Sequence, residues 1–143
     1  MEIALAEAEA AAARGEVPVG AVIVQDGNVI AAAGNRTIAD ADPTAHAEIV
    51  ALRRAARTLA TPRLSACDLY VTLEPCAMCA GAISIARIRR LYFGASDPKG
   101  GGVEHGPRLY GQPTIHHTPE IYGGLCETDA ARLLRAFFEK RRG

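Results

Sequence analysis

Two short segments constrain this chain more than anything else in it: His46-Ala47-Glu48, and Pro75-Cys76-Ala77-Met78-Cys79 further on. Each is expected at the start of a helix that follows a strand. In a layered α/β sheet, the connections leaving the carboxyl ends of strands converge on one side, where ligands bind. A fold that brings these two helix starts together gathers one imidazole and two thiols.

The two cysteines are spaced i, i+3, which puts both sulfurs on one helix face. A helix N-terminus favours negative charge and so favours the thiolate forms that bind metal. Pro75 lacks an N–H, which a helix start tolerates. Soft sulfur ligands suit zinc. With His46 as third ligand, the fourth tetrahedral position stays open for water, the pattern of catalytic rather than structural zinc. Zinc lowers the pKa of such a water to about 7. Glu48 lies two residues from His46, off its face in a regular helix but able to converge with it at a helix end. It is therefore read as the acid/base group that moves protons to and from the metal-bound water, a role worth typically 10²–10⁴-fold in rate.

Each part has a plainer reading. A lone CxxC also serves redox chemistry, and Glu48 could simply compensate the helix dipole. His46 alone could be an ordinary polar residue at a helix start. A fourth ligand from Cys67 would close the site and make it structural. HAE followed by PCxxC resembles the signature of the zinc-dependent deaminases, which implies hydrolysis of an exocyclic amine with a proton shuttle at Glu48 serving a ring nitrogen and the departing amine.

The rest of the chain frames the motif. At 143 residues, one domain covering 1–143 is expected. A chain of this length buries roughly 70% of its unfolded surface, enough for a core without covalent staples. The four cysteines, Cys67, Cys76, Cys79 and Cys126, therefore read as metal or redox residues and structural thiols rather than as a disulfide framework. Sixteen basic residues balance sixteen acidic ones, so no global charge marks a nucleic-acid or membrane partner. Local basic groups do occur at Arg87, Arg89 and Arg90, and at Lys140, Arg141 and Arg142. The apolar stretches are far short of a bilayer span, and the start lacks a secretory pattern. A soluble, cytoplasmic protein is expected.

Residues 2–14 are rich in helix formers, with Gly15 as stop. Val19–Val24 and Val29–Ala33 read as strands around an Asp26-Gly27-Asn28 turn. Asp42 is expected to cap a helix that runs through Pro43 and Thr44 to about Leu59. A strand at Asp68–Leu73, a helix from Pro75 to about Arg87 and a strand at Ile88–Gly94 follow. Residues 95–113, with Gly100-Gly101-Gly102 and three prolines, form a long loop of the kind that often serves function. Thr114–His117 is a candidate fifth strand. Thr128 is expected to cap a last helix with Leu133, Leu134, Phe137 and Phe138 on its apolar side. The order argues for an α/β layered domain.

Five segments are similar in wording to one family: EVPVGAVIV at Glu16–Val24, DPTAHAEI at Asp42–Ile49, LYVTLEPCAMCAGAI at Leu69–Ile83, RIRRLYFGASDPK at Arg87–Lys99, and the terminal FFEKRR. Together they resemble the bacterial tRNA-specific adenosine deaminases of the cytidine deaminase-like superfamily, over nearly the whole chain. The resemblance implies a three-layer α/β/α sandwich around a mixed five-stranded sheet. It implies hydrolysis of adenosine to inosine at the wobble position of an arginine tRNA, with the anticodon loop as partner. It further implies a homodimer and one zinc per subunit on His46, Cys76 and Cys79, with Glu48 as proton shuttle. Substrate contacts are implied at Asn35, Ala47 and Asp97. Flipping an unpaired loop base costs least, which suits a chain without a large basic face. From Gly100 to Gly124 the wording departs from the enterobacterial members, and a basic residue there gives way around Thr118-Pro119. Two rivals stand beside this reading: a deaminase of a free base or nucleotide such as guanine or cytosine, and a non-catalytic zinc module.

Overall fold

Strand-forming runs of Val, Ile and Leu alternate with Ala-rich helical segments, and the chain lays them down in that order. The structure, a computed structural model, describes residues 1–142. Helix α1 (Glu2–Ala13) precedes strands β1 (Gly20–Gln25) and β2 (Asn28–Gly34), then α2 (Ala47–Leu59), β3 (Asp68–Leu73), α3 (Ala77–Ala86) and β4 (Arg90–Ala95). A single 3₁₀ turn at Leu109–Gly111, strand β5 (Glu120–Tyr122) and helix α4 (Glu127–Arg142) complete it. No helix among the described residues is long and apolar enough to cross a membrane.

The sheet order is β2-β1-β3-β4-β5. β1 runs antiparallel to both β2 and β3, while β3, β4 and β5 are parallel. This is the mixed five-stranded sheet that the resemblance implies. Helices α1 and α4 touch each other and one face; α2 packs against β1 and β2 on the other, beside α3. The side chains of Ile23, Leu69, Val71, Leu91 and Phe93 are almost wholly removed from solvent and form the core with α2 and α3.

The opposite face is built by small residues. Gly20 and Gly34 are register partners at the end of the β1–β2 ladder. A Cβ on Gly20 would stand 1.9 Å from the Ala4 carbonyl oxygen, and one on Gly34 2.8 Å from that of Glu7. Helix α1 can lie that close because it presents Ala4, Ala8 and Ala11, all fully buried. The β1–β2 turn places Asp26 at φ 51° and Gly27 at φ 78°, the two positive values a two-residue hairpin of matching twist requires.

Four expected details differ. Asp42 does not cap α2, which begins at Ala47 with His46 as its cap residue. Its carboxylate instead accepts from the Thr44 N–H and hydroxyl, at 2.9 and 2.7 Å, and closes its own local turn. Thr114–His117 is not a strand, because its backbone groups are spent elsewhere: Ile115 N–H bonds Gln112 and His117 N–H bonds the Ser84 hydroxyl. The fifth strand starts later, where Glu120 N–H reaches the Arg89 carbonyl. Helix α4 begins at Glu127, so Thr128 lies inside it. Phe138 is 46% exposed and so does not share the packed side of Leu134.

Candidate active site

Strands β2, β3 and β4 point the same way, so their carboxyl ends lie along one edge of the sheet. The loop after β2 leads to His46, β3 leads to Cys76, and β4 leads to Asp97. Cys76 occupies the cap position of α3, as His46 does for α2, and each cap residue has extended backbone that swings its side chain over the helix end. Cys79 follows one turn into α3 and is fully buried.

His46 Nδ1 stands 3.6 Å from the sulfur of Cys76 and 3.6 Å from that of Cys79. All three ligand atoms lie within 4.8 Å of one another, and Cys67 is not in the group. A tetrahedral ion bonded at about 2.0 Å to nitrogen and 2.3 Å to sulfur sets N···S edges near about 3.5 Å. The spacing and the soft donor set therefore fit zinc. A hydrogen bond from Cys79, then one from His46, holds the Cys76 thiol down to about 4 against burial. Cys79 is pushed up, first by donating to Cys76 and then by burial. The hydrogen bond to Cys76 also raises His46. A divalent cation would displace the proton these groups share.

The cluster opens on a cleft of about 270 Å³ lined by Val17, Val19, Asn35, Thr37, His46, Ala47, Glu48, Leu73, Glu74, Cys76, Asp97 and Gly100. Every residue expected at the site except Cys79 lines it, and Cys79 is fully buried within the three-ligand group. Glu48 is buried but lies outside the three-ligand group. Burial first, and then the Cys76 charge, pushes its carboxyl up to about 7 against its own backbone N–H and His46. Asn35 Nδ2 donates to Glu16 Oε1 at 3.2 Å and to the Thr37 hydroxyl at 3.1 Å. Asp97 Oδ1 accepts from the N–H groups of Lys99 and Gly100, the turn role, while its residue also faces the cleft.

Of the other histidines, His117 bonds the Ile88 carbonyl oxygen at 2.8 Å and His105 lies 2.7 Å from Glu74 Oε1. Two arginines of the run are occupied: Arg89 pairs with Asp68, and Arg90 with Glu120 at 2.8 Å. Arg141 donates to the Gly15 carbonyl oxygen, tying α4 to the end of α1. The Arg142 side chain and Gly143 lie outside the described residues.

Two residues that the sequence did not flag organise the walls, and both are buried acids. Glu16 accepts from Asn35, Thr37 and the N–H groups of Ile38 and Ala39, the last at 2.8 Å. Glu74 does the same for the loop after β4. The available signal was an acid followed by Val-Pro or Pro at the edge of an apolar run, in Glu16-Val17-Pro18 and Leu73-Glu74-Pro75. Burial raises the Glu16 carboxyl, but the Ala39 and Ile38 N–H groups, Arg14 and Thr37 outweigh it and hold it below the ordinary range. A depressed folded-state pKa contributes stability above the unfolded value, near about 4.3, and loses it as pH falls through the folded value. Glu16→Gln is thus expected to cost about 1–3 kcal/mol at pH 7. Thermal melts should show that gap shrinking below about pH 4; a pH-independent gap would refute the charge argument.

The model of the MafB19-like deaminase family matches residues 1–142. A tRNA-specific adenosine deaminase of Agrobacterium fabrum is 60% identical over 142 residues, covering 99% of this chain and 93% of that protein. The chain belongs to the tRNA-specific adenosine deaminase family. Another tRNA-specific adenosine deaminase, from Haemophilus influenzae, is 48% identical over 99% of this chain and 83% of its own. Among solved structures, one from a study of A-to-I editing by tRNA:A34 deaminases at the wobble position of transfer RNA superposes with a TM-score of 0.93 at 60% identity. That match covers 94% of this chain and 97% of the other. A guanine deaminase from Nitrosomonas europaea superposes at 0.81 with 28% identity, over 95% of this deaminase and 81% of that chain.

Proposed function

We propose that this chain deaminates adenosine to inosine at the wobble position of an arginine tRNA, acting as one domain over residues 1–143. The carrying observation is the pair of 3.6 Å contacts from His46 Nδ1 to both cysteine sulfurs, beside a buried carboxyl in an open cleft. His46, Cys76 and Cys79 would hold one zinc ion, which when bound supplies a Lewis acid that makes water nucleophilic near neutral pH. Glu48 takes one proton from the attacking water and delivers it to the purine N1, then takes the second from the resulting C6 hydroxyl and delivers it to the departing amine. The water oxygen bonds to C6, the C6–N bond breaks, and ammonia leaves. The apolar walls at Val17, Val19 and Leu73 exclude bulk water around the flipped base. Asn35, Ala47 and Asp97 face the cleft and are assigned to substrate contact.

The likeness to guanine deaminases at 28–32% identity favours a second reading, action on a free purine base. Incubation with an arginine tRNA anticodon stem-loop, guanine and cytidine, followed by chromatography of the products, separates the two. Inosine in the RNA is the expected result; xanthine with unchanged RNA would replace the proposal with the second reading.

The chain is further proposed to act in the cytoplasm as a homodimer. Ile85 is 66% and Met78 38% exposed on α3, and Ile85 borders a groove shared with Ile49, Leu52 and Ala82. A second copy covering that groove would bury it. Sedimentation should give a dimer for the native chain and a monomer for Ile85→Asp; a native monomer at micromolar concentration would remove the dimer from the account.

A further inference from the structure

Glu74 precedes Pro75 and Cys76, and the chemistry above gives it no task. Its side chain has no solvent exposure, yet both oxygens are fully engaged. Oε1 accepts from the Asp97 N–H at 3.0 Å and lies 2.7 Å from His105 Nδ1. Oε2 accepts from the N–H groups of Val103, Glu104 and His105 at 3.2, 2.9 and 3.1 Å. Every partner belongs to the segment 97–105 that follows β4. A stretch with almost no periodic structure is thereby wound around one carboxylate, which supplies the acceptors that a sheet or helix otherwise provides.

The glycine run has its cause in the same arrangement. A Cβ at Gly101 would stand 2.4 Å from Glu74 Oε2, and one at Gly102 2.6 Å from the Ala77 nitrogen. Gly106, at φ +57°, would carry a Cβ 2.4 Å from the Gly101 carbonyl oxygen. These glycines allow close packing around the carboxylate and against the start of α3. Gly102 N–H then bonds the Pro75 carbonyl, and Leu109 N–H the Gly102 carbonyl, so Gly102 ties the wound segment to the residue before Cys76 and to the 3₁₀ turn. Its outer side presents Asp97 and Gly100 to the cleft.

We propose that Glu74 is a positioning residue for substrate: it fixes the 97–100 wall of the cleft, and so governs how tightly RNA is held rather than how fast the bond breaks. The inference rests on the RNA-deaminase reading. Replacing the carboxylate by a carboxamide sets an NH₂ against backbone N–H groups whichever way it turns, that of Asp97 on one side or those of Val103, Glu104 and His105 on the other, so one of the two sets of contacts loses its acceptor. His105 closes the clamp from the far end and remains about one-third exposed, so it can be changed with less disturbance.

The test uses the full, zinc-loaded chain and an arginine tRNA anticodon stem-loop. Glu74→Gln is expected to raise KM and the dissociation constant at least about tenfold, to leave kcat within about twofold, and to keep the zinc content. Limited proteolysis should cut the variant faster within 97–106. His105→Asn keeps a side-chain N–H for Oε1 and should stay near wild type, whereas His105→Leu should follow Glu74→Gln. An unchanged KM in folded, loaded Glu74→Gln, or a fall in kcat with KM unchanged, overturns the proposal. If Glu74→Gln does not fold, the contrast between His105→Asn and His105→Leu decides by the same KM criterion. If wild-type protein acts on guanine and not on the stem-loop, the RNA reading fails separately. The same KM comparison on guanine then keeps or removes the positioning role.

Discussion

Glu48→Ala should keep one zinc ion per chain while kcat falls by at least the roughly 10²–10⁴-fold that proton transfer by a placed group contributes. The two halves of this expectation come from different observations. Metal retention follows because Glu48 is not among the three ligands whose atoms cluster within 4.8 Å. Loss of turnover follows because Glu48 is a buried acid lining the same cleft as His46 and Cys76, while Glu74, the other buried acid there, has both oxygens committed to the 97–105 segment. The protein should also stay folded, since removing a buried carboxyl that burial itself disfavours relieves a cost. Metal analysis and single-turnover kinetics on one preparation check both halves. Loss of zinc along with activity would make Glu48 a ligand or a structural acid, and the shuttle would have to be sought elsewhere.

The second large effect is expected from Cys79→Ser. This sulfur is fully buried and stands 3.6 Å from His46 Nδ1, inside the three-ligand group. A serine hydroxyl is harder, shorter and far less acidic than a thiol, and it does not offer the soft anion that zinc prefers. Zinc affinity should drop by more than the roughly 100-fold that even an outer-shell change can cost, and deamination should fall with it. Competition with a chelator reads the affinity directly. Because bound metal stabilises the folded state by mass action, the variant should also lose the rise in melting temperature that added zinc gives the native chain. A variant with native zinc content would place the ion elsewhere.

Both expectations were legible in the sequence, for a physical reason. His46, Glu48, Cys76 and Cys79 are short-range features of helix starts, and once each βα junction is recognised, the parallel strands bring the junctions to one edge. The elements themselves were readable where periodicity was strong, as in β1, β3 and α2. The failures lie where a side chain competes with the backbone. Asp42 closes its own turn rather than the helix, and the Ser84 hydroxyl takes the His117 N–H that a strand would have needed. Thr114 and Ile115 favour a strand locally, but the sheet pairs with Glu120–Tyr122 instead. Glu16 and Glu74 stayed hidden because a surface acid and a buried one look alike until the donors around them are known. Those donors come from residues 35–39 and 97–105, far along the chain in each case. The run Gly100-Gly101-Gly102 read only as part of a long loop for the same reason, when it is tightly packed.

Zinc K-edge X-ray absorption on the purified protein tests the centre of this account most directly. One imidazole nitrogen, two sulfurs and one additional light atom around each ion, with one ion per chain, is the predicted result. A third sulfur, a first shell filled by four protein atoms, or a preparation that takes up no zinc would contradict it.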